Sequence, residues 1–324
     1  MAEGRKLAIP ILGLVLVLTV LLCLAVGSTA LDPVLVFSPG SVDNIIFFSV
    51  RLPRVVAAAT AGMAFALAGV LLQAASGNSL ASPNIIGVNS GAGFAVLLCM
   101  CLLPRHFLLL PVAAFAGALL ATGAVFLISS LTSRLSSASS LILSGVAVNA
   151  FFNALTSTLS SLRPDLMGSY SAFSIGGFAG IQTRTLVEPV ILILASGALA
   201  LSCGPLVDVI SLGDELASSL GYRPSRLRVG MSALAAFLAA CAVSYAGLLG
   251  FVGLVTPHLA RFLTGGGGRR TLAASALAGA ILVLLSDLLA RTLVSPGELP
   301  AGVFMAAIGV PFLIILLTRR SGHA

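Results

Sequence analysis

The sequence predicts an all-α membrane protein with about ten transmembrane helices, and two observations lead to that fold class. The 324-residue chain is 58% hydrophobic and 8% charged, whereas a soluble domain carries roughly 25% charged residues. Apolar runs long enough to cross about 30 Å of hydrocarbon as helices recur along the whole chain. The short alternating segments of a membrane β-barrel are not found in the sequence.

The first predicted span covers about residues 7–27 and follows a basic start, "MAEGRK". This opening resembles a secretory signal peptide, but its apolar run of roughly 20 residues is longer than the usual signal core. We therefore predict an uncleaved first helix.

Further spans follow in order and end on the same side as the first begins. They are predicted at about residues 53–75, 85–103, 108–131, 139–160, 185–207 and 229–249, in a short eighth helix after "TPHLARFL", and at 271–293 and 300–317. The segment 163–185 is amphipathic at best and is predicted outside the bilayer. An even number of spans places both termini on one side.

Basic residues predict the orientation. With the N-terminus inside, eleven Arg and Lys residues lie on the inner side and six on the outer side, the outer ones being Arg51, Arg54, Arg105, Arg163, Arg184 and Arg291. Because inner loops carry the excess of basic residues, both termini are predicted to be cytoplasmic. The net charge of +7 is explained in the same way, and no nucleic-acid partner is expected. Arg51 and Arg54, in "RLPR", lie outside against this rule.

Two similar segments predict a weak internal repeat within a single domain, residues 1–324. "ALAGVLLQ" (66–73) and "SYAGLLGF" (244–251) are each followed by a Pro-containing break, "LASPN" and "LVTPH". Such repeats are common in transporters, and they would relate helices two to five to helices seven to ten. The 34 glycines also favour closely packed membrane helices.

The chain lacks the residues of an energy-converting or catalytic site. Lys6 is the only lysine, and "TGGGGRRT" (264–271) has no lysine where a phosphate-binding loop needs one. We read it as a flexible turn, so an ATPase would have to be another polypeptide. No metal or cofactor is expected in this chain, since the histidines are not spaced as ligands; His258 is predicted to make a structural hydrogen bond. The five cysteines are expected to be small buried side chains.

Asp287, in "LLSDLLARTL", is the clearest carboxylate inside a span, which makes it a functional candidate by default. Arg291 follows four residues later on the same helical face and is favoured as its ion-pair partner. The alternative, a coupling-ion site in an ion-driven secondary transporter, stays open.

The longest polar stretch, about residues 208–228, is predicted to face the cytoplasm. Within it "GDELASSLG" fits a short amphipathic helix, with Asp214 and Glu215 in the first turn and Leu216 and Leu220 at i, i+4. A soluble partner could push on such a surface. The alternative is an ordinary solvated loop.

Four segments in order resemble the FecCD-type permeases of binding-protein-dependent ABC importers for ferric siderophores, haem or cobalamin. They are "RLPRVVAAATAGMAFALAGVLLQAASGNSLASPNIIGVNSGAG", "LGDELASSLG", "GLLGFVGLVTPHLARFL" and "GELPAGVFMAAIGVPFLIILL". The resemblance implies the type II importer permease fold, a homodimer with the path between subunits, and alternating access in a bacterial or archaeal inner (plasma) membrane. It also implies two ATPase subunits, which bind ATP and Mg, and one periplasmic binding protein.

The resemblance also implies roles for individual residues. Arg51, Arg54 and Arg291 would receive glutamates of the binding protein, and charge reversal at Arg51 and Arg54 would then weaken docking with the fold intact; binding of lipid headgroups is the alternative. The implied ATPase contacts are Gly213, Asp214, Glu215, Leu216, Ala217, Leu220 and Gly221. The implied gate and pathway residues are Asn78, Ser79, Leu80, Ser137, Ala138, Ser139, Ser140, Asn149 and Asn153.

One departure concerns the substrate. The segment between helices five and six often carries a tryptophan in this family, and this chain has none. An iron chelate or haem is favoured over cobalamin only because iron uptake dominates the family.

Overall fold

The α-helices of the computed structural model follow the predicted order, with short additional helices in the connections. The structure describes residues 2–27, 29, 32–131, 137–294 and 297–321. Within them the α-helices are α1 (Ala2–Ala25), α2 (Pro33–Val36), α3 (Val42–Ile45), α4 (Leu52–Ser76), α5 (Val88–Leu102), α6 (Leu110–Leu131), α7 (Ser137–Leu162), α8 (Met167–Ile175), α9 (Thr183–Ser202), α10 (Gly204–Ser211), α11 (Asp214–Ser219), α12 (Pro224–Ala246), α13 (Val252–Thr264), α14 (Gly268–Thr292) and α15 (Ala301–Ser321). A π-helical turn, Ile46–Arg51, leads into α4, and a 3₁₀ turn, Pro83–Ile86, precedes α5.

The all-α prediction with about ten spans is confirmed. In the described part of the chain, 7 helical segments are long and apolar enough to cross a membrane, and α5 and residues 301–316 are shorter apolar helices. The 13-residue α13 takes the eighth place in the predicted order. Residues 167–175, predicted outside the bilayer, form the short helix α8.

Two predicted details are wrong. The predicted sixth helix is two helices, α9 and α10, which meet at Gly204. Gly204 packs so closely on α14 that a Cβ there would lie 2.7 Å from the Cα of Arg269. The segment "TPHLARFL" lies inside α13 rather than before it, and the break falls at residues 247–251 instead of at "LVTPH".

Pro257 is tolerated inside α13 because its missing hydrogen bond is replaced. A proline has no N–H to donate to the carbonyl four residues earlier, which here belongs to Gly253. The Gln73 side chain of α4 supplies the donor, with Nε2 3.3 Å from that carbonyl oxygen. Pro257 therefore marks a contact between helices, whereas the sequence pattern suggested a helix break.

Helix α4 is the central element of the bundle. It has 25 residues and is therefore roughly 37 Å long. It packs against α9, α12, α13 and α14. In the membrane-span candidate that contains it, Val42–Ser76, 83% of the most apolar 18-residue stretch is buried. A Cβ at Gly62 would lie 2.2 Å from the carbonyl oxygen of Gly279 in α14, and one at Gly69 would lie 2.0 Å from that of Gly253. Glycine at these crossings lets the backbones touch, as in other closely packed membrane helices.

The helices at the periphery leave most of their surface uncovered. In the 18-residue apolar stretch of each span, only 17% is buried within the subunit for α1 and 22% for α7. Cys23 and Cys241 are buried, as predicted, and the other three cysteines are half-buried.

The direction of α4 defines the two ends of the bundle. We call the end where α4 begins the arginine end, and the end where α4 stops the coupling end. The arginine end also holds the C-terminal turns of α1 and α14, and the coupling end holds α10, α11 and the start of α12.

Candidate functional site

At the arginine end, Arg54 is the centre of a buried ionic network. Its Nε lies 3.1 and 3.0 Å from the two carboxylate oxygens of Asp287, and its Nη2 lies 2.9 Å from Oδ1 of the same group. Its Nη1 donates to both carboxylate oxygens of Glu298, at 3.0 and 2.9 Å. The side chains of Arg54 and Asp287 are 8% and 3% exposed, whereas that of Glu298 is 35% exposed. Arg54 thus joins the start of α4 to the end of α14 and to the loop after it.

Arg291 lies beside this network, as the spacing predicted, but it is not the closer partner of Asp287. Its Nε is 3.9 Å from Oδ2 of Asp287 and has no hydrogen-bond partner in the described residues. Its Nη2 donates to the carbonyl of Cys23 in α1, at 2.5 Å. Local spacing does not indicate the pairing of Asp287 with Arg54, which is 233 positions away.

Arg51 caps the end of α1. Its guanidinium donates to the carbonyls of Leu24 and Ala25, at 2.8 and 2.7 Å, and to that of Thr29. The last carbonyls of a helix have no intrahelical donor and carry partial negative charge, so a cation is favourable there. A Cβ at Gly27 would lie 2.8 Å from Nη2 of Arg51, so glycine leaves room for the guanidinium.

The structure therefore brings the three predicted docking arginines together, and all three are buried. We call Arg51, Arg54, Arg291, Asp287 and Glu298 the arginine cluster. Its three guanidiniums face two carboxylates and helix-end carbonyls, so these five residues carry one formal positive charge, and the carboxylate of Asp43 also attracts Arg51 electrostatically. The chain's own acids and helix-end carbonyls hold all three arginines.

A cavity of about 360 Å³ lies beside the arginine cluster. Arg54 and Glu298 line it, together with residues 177–179 and the end of α12 around Tyr245. The Tyr245 hydroxyl is 2.9 Å from the Thr60 hydroxyl of α4. The cavity thus presents an ion pair next to apolar wall, and Glu298 covers the face of Arg54 directed toward it.

At the coupling end, the predicted amphipathic helix is present as α11. Gly213 precedes it with a φ of 97°, and Gly221 follows it with a φ of 84°, values that favour glycine. Ala217 is buried, whereas Leu216 and Leu220 are 56% and 58% exposed. Asp214 and Glu215 occupy the first turn, as predicted. Leu216 in the helix and Leu220 directly after it are therefore uncovered, and they lie beside acidic groups.

Arg228 in α12 connects α11 to α4. Its Nη2 lies 2.7 Å from Oδ1 of Asp214, and its Nη1 lies 2.5 Å from the carbonyl oxygen of Ala75 in the last turn of α4. No sequence motif distinguishes Arg228, whose positive charge was counted only toward the predicted orientation in the membrane.

A cavity of about 520 Å³ lies behind α11, between the last turns of α4 and α13 and the start of α14. Arg261 donates to Oε1 of Gln73 at 2.5 Å. Asp208 accepts from the backbone N–H of Gly268 at 2.6 Å and so caps the start of α14. The predicted turn at "TGGGG" is present, with positive φ at Gly265, Gly266 and Gly267.

Residues that adjoin the two predicted gate segments line one small cavity at this end. They are Ser76 and Ser82, which flank the 77–81 loop, and Leu141 near the start of α7. Asn78 accepts from the backbone N–H of Leu80 at 2.9 Å, and Ser140 is tied to Ser129 of α6 at 3.0 Å.

Other predicted gate side chains differ in how exposed they are to solvent. Ser79 is half-buried and Ser139 is exposed. The side chains of Ser137 and Ala138 lie outside the described residues. The gating role of all these residues stays a prediction.

The two asparagines predicted on the pathway differ in their surroundings. Asn149 lies 2.6 Å from the Ser90 hydroxyl and donates to the carbonyl of Asn84 at 2.9 Å, so it fixes α7 to α5 and to the 3₁₀ turn. Asn153, one turn further, is exposed. His258 lies 2.8 Å from the carbonyl of Leu254 through Nδ1, the structural hydrogen bond that was predicted. Within the described residues no three His, Cys, Asp or Glu side chains are grouped to hold a metal ion.

Comparison with known proteins places this arrangement in a family. The profile of the FecCD transport family matches residues 15–319. The chain is 36% identical to the Fe(3+)-citrate import system permease protein of Bacillus subtilis (strain 168), over 97% of this chain and 96% of the relative. It is 36% identical to the ferric enterobactin transport system permease protein of Escherichia coli (strain K12), over 99% and 97%. It is 34% identical to the hemin transport system permease protein of Yersinia pestis, over 98% of each.

A solved structure of an ABC transporter has the same fold as this chain. An ABC transporter assigned to the metal-chelate type, in an inward-facing conformation, superposes with a TM-score of 0.85 at 32% identity, over 96% of this chain and 98% of that one. The predicted resemblance is confirmed, and the chain belongs to the FecCD transport family of membrane permeases.

Proposed function

We propose that this permease moves a ferric chelate or haem into the cytoplasm, with ATP hydrolysed by a separate subunit. The observation that carries the proposal is similarity over nearly the whole chain to permeases named for iron(III) citrate, ferric enterobactin and hemin. None of these three is named for cobalamin, so we favour a ferric chelate or haem over cobalamin as the substrate.

We propose that two copies of the chain enclose the path in a bacterial or archaeal plasma membrane, with both termini in the cytoplasm. Exposed polar groups on α7, Asn153 and Ser157, support this arrangement. Polar side chains are costly in contact with lipid and favour a water-filled cavity. A second copy facing α7 would supply one.

We propose that α11 docks on the ATPase. Its two exposed leucines offer apolar contacts, and its acidic first turn adds charge complementarity with a basic partner surface. Two ATPase subunits, one beneath each permease copy, would bind ATP and Mg. Their closure would then move α11 and switch the permease between its two access states.

We propose that the periplasmic binding protein docks at the arginine end through carboxylates directed at the arginine cluster. The burial of the arginines changes how this is tested. Reversing the charge of Arg54 would place a third carboxylate beside Asp287 and Glu298, so the expectation that the fold survives this change is not supported by the geometry. A useful variant has to leave the buried pair of Arg54 and Asp287 in place.

Glu298→Gln is such a variant, and we expect it to strengthen docking by about threefold to tenfold, or roughly 0.7–1.4 kcal/mol. Glu298 occupies the outward N–H groups of Arg54, so a partner carboxylate has to compete with it. The amide keeps the volume and removes the competing charge. Affinity for the loaded binding protein, measured by surface plasmon resonance on reconstituted permease, checks this.

Glu188→Gln provides the matched control, since Glu188 is an exposed acid near the start of α9. It should change the affinity less than Glu298→Gln does. Unchanged or weaker docking in Glu298→Gln would contradict docking through Arg54.

The function itself is tested by gentle purification from the native membrane, followed by an assay for ATP hydrolysis. We expect a stoichiometric ATPase to accompany the chain, and hydrolysis to rise when a binding protein loaded with ferric chelate or haem is added. A chain that purifies without an ATPase, under conditions that preserve other ABC complexes, would contradict the proposal.

A further inference from the structure

Arg228 connects α11 directly to the central helix α4 through its side chain. One guanidinium nitrogen binds Asp214, the first residue of α11, and another binds the carbonyl of Ala75 in the last turn of α4. Arg228 is buried, with 9% of its surface exposed. The two bonds diverge from one rigid planar group, so this side chain bridges the two helices in this conformation.

The bond to α4 is made where a helix needs a donor. The last carbonyls of a helix have no intrahelical partner and carry the negative end of the dipole, and Ala75 lies one residue before the end of α4. Gln73, half a turn earlier, is held by Arg261 of α13. In the described part of the chain, the coupling end of α4 is therefore held by two arginines, and Arg228 also binds α11.

Arg228 also carries an unused donor. Its Nε is buried and has no hydrogen-bond partner in the described residues, and leaving a buried donor unsatisfied destabilises the folded protein. A residue that served only to fill space would be replaced by an apolar one at lower cost. A donor left unpaired in one conformation can be paired in another, which suits a contact that rearranges.

We propose that Arg228 is a positioning residue that transmits the movement of α11 to α4 during transport. The inference rests on the proposed docking of α11 to an ATPase. Because α4 is buried along its length and holds Arg54 at its other end, a displacement at Ala75 is carried toward the arginine cluster. Arg228 thereby links the ATPase surface with the surface proposed for the binding protein.

The test measures how many substrate molecules enter per ATP hydrolysed, in proteoliposomes that contain permease and ATPase. We expect Arg228→Met to lower this ratio at least fivefold and to reduce the stimulation of hydrolysis by the loaded binding protein. A purely structural defect would lower uptake and hydrolysis together, because fewer intact complexes would remain, and would leave the ratio unchanged. Arg228→Lys, which keeps the charge, should restore part of the ratio.

Arg226→Met is the matched control. Arg226 is an exposed arginine two positions earlier in α12, and its loss should leave the ratio within about twofold of the unchanged protein. If Arg228→Met assembles poorly, Asp214→Asn tests the same link from its exposed side and should lower the ratio in the same direction.

An unchanged ratio in both Arg228→Met and Asp214→Asn would overturn the inference. Failure of the proposed function is distinguishable from this, since the unchanged protein would then show no uptake that depends on ATP.

Discussion

Replacement of Asp287 by alanine is expected to destabilise the folded subunit by about 3–5 kcal/mol, the usual cost of removing one partner from a buried ion pair. Asp287 binds Arg54 through three contacts of 2.9–3.1 Å and lies 3.9 Å from Arg291. Without it, two guanidiniums stay buried at one place with Glu298 as the only nearby carboxylate in the described residues. Thermal unfolding of the purified subunit in detergent measures the effect. Reaction of a thiol dye with the buried Cys23 and Cys241 reports unfolding in a chain that has no tryptophan.

The control for this prediction is Asp165→Ala. Asp165 pairs with Arg163 at 2.8 Å, but its side chain is 59% exposed, and exposed pairs contribute little to stability. Its loss should leave the unfolding temperature unchanged.

The same experiment separates the two roles considered for Asp287. If Asp287→Ala leaves the unfolding temperature unchanged and abolishes transport, Asp287 acts as a functional group rather than as a structural one. An ion-coupled mechanism would then have to be considered again. The geometry disfavours it, because the carboxylate is occupied by Arg54 and is 3% exposed.

Replacing both Leu216 and Leu220 by glutamate is expected to lower co-purification of the ATPase at least tenfold. Both leucines, Leu216 in α11 and Leu220 directly after it, are more than half exposed, and a few residues at the desolvated centre of an interface commonly supply most of its affinity. Adding two negative charges replaces these contacts with groups that must lose their hydration. Quantitative immunoblotting of the ATPase retained by the tagged permease measures the loss.

A matched variant separates charge from the apolar contact. Ser219→Glu adds a carboxylate to the same helix at an exposed position, and it should retain most of the ATPase. Since the leucine side chains are exposed, the unfolding temperature of the double variant should not fall. Full retention of the ATPase by the double variant would contradict docking through α11.

The elements that the sequence predicts best are those with a strong local signal. The extents of α4 and α6 follow from apolar runs with polar ends, and α11 follows from an acidic first turn and two leucines at i, i+4. The division between α9 and α10 was missed because the apolar run continues across it. It depends on the close approach of Gly204 to α14, a neighbour that lies far along the chain.

The site was only partly predictable for the same reason. The resemblance selected Arg51, Arg54 and Arg291, and the structure brings them together. Local spacing, however, predicts only the contact of Asp287 with Arg291, and it does not predict the contacts of Arg54 with Asp287 and Glu298. One signal was available in the sequence: an arginine buried at a membrane edge needs an acid, and Asp287 is the clearest one inside a span.

Pro257 illustrates the limit of a local rule. A proline in an apolar segment predicts a break, and here it lies inside α13 because Gln73 of α4 satisfies the carbonyl that it leaves free. That donor lies 180 positions away. Its role could be seen only once the two helices were packed together.

Uptake into proteoliposomes tests the central claim most directly. The permease and its ATPase are reconstituted with ATP inside, and a binding protein loaded with a radioactive ferric chelate or haem is added to the side that carries the arginine end. We predict uptake that requires enclosed ATP and the binding protein and that persists when ion gradients are collapsed. Uptake by the permease alone, driven by a proton or sodium gradient, would contradict the account.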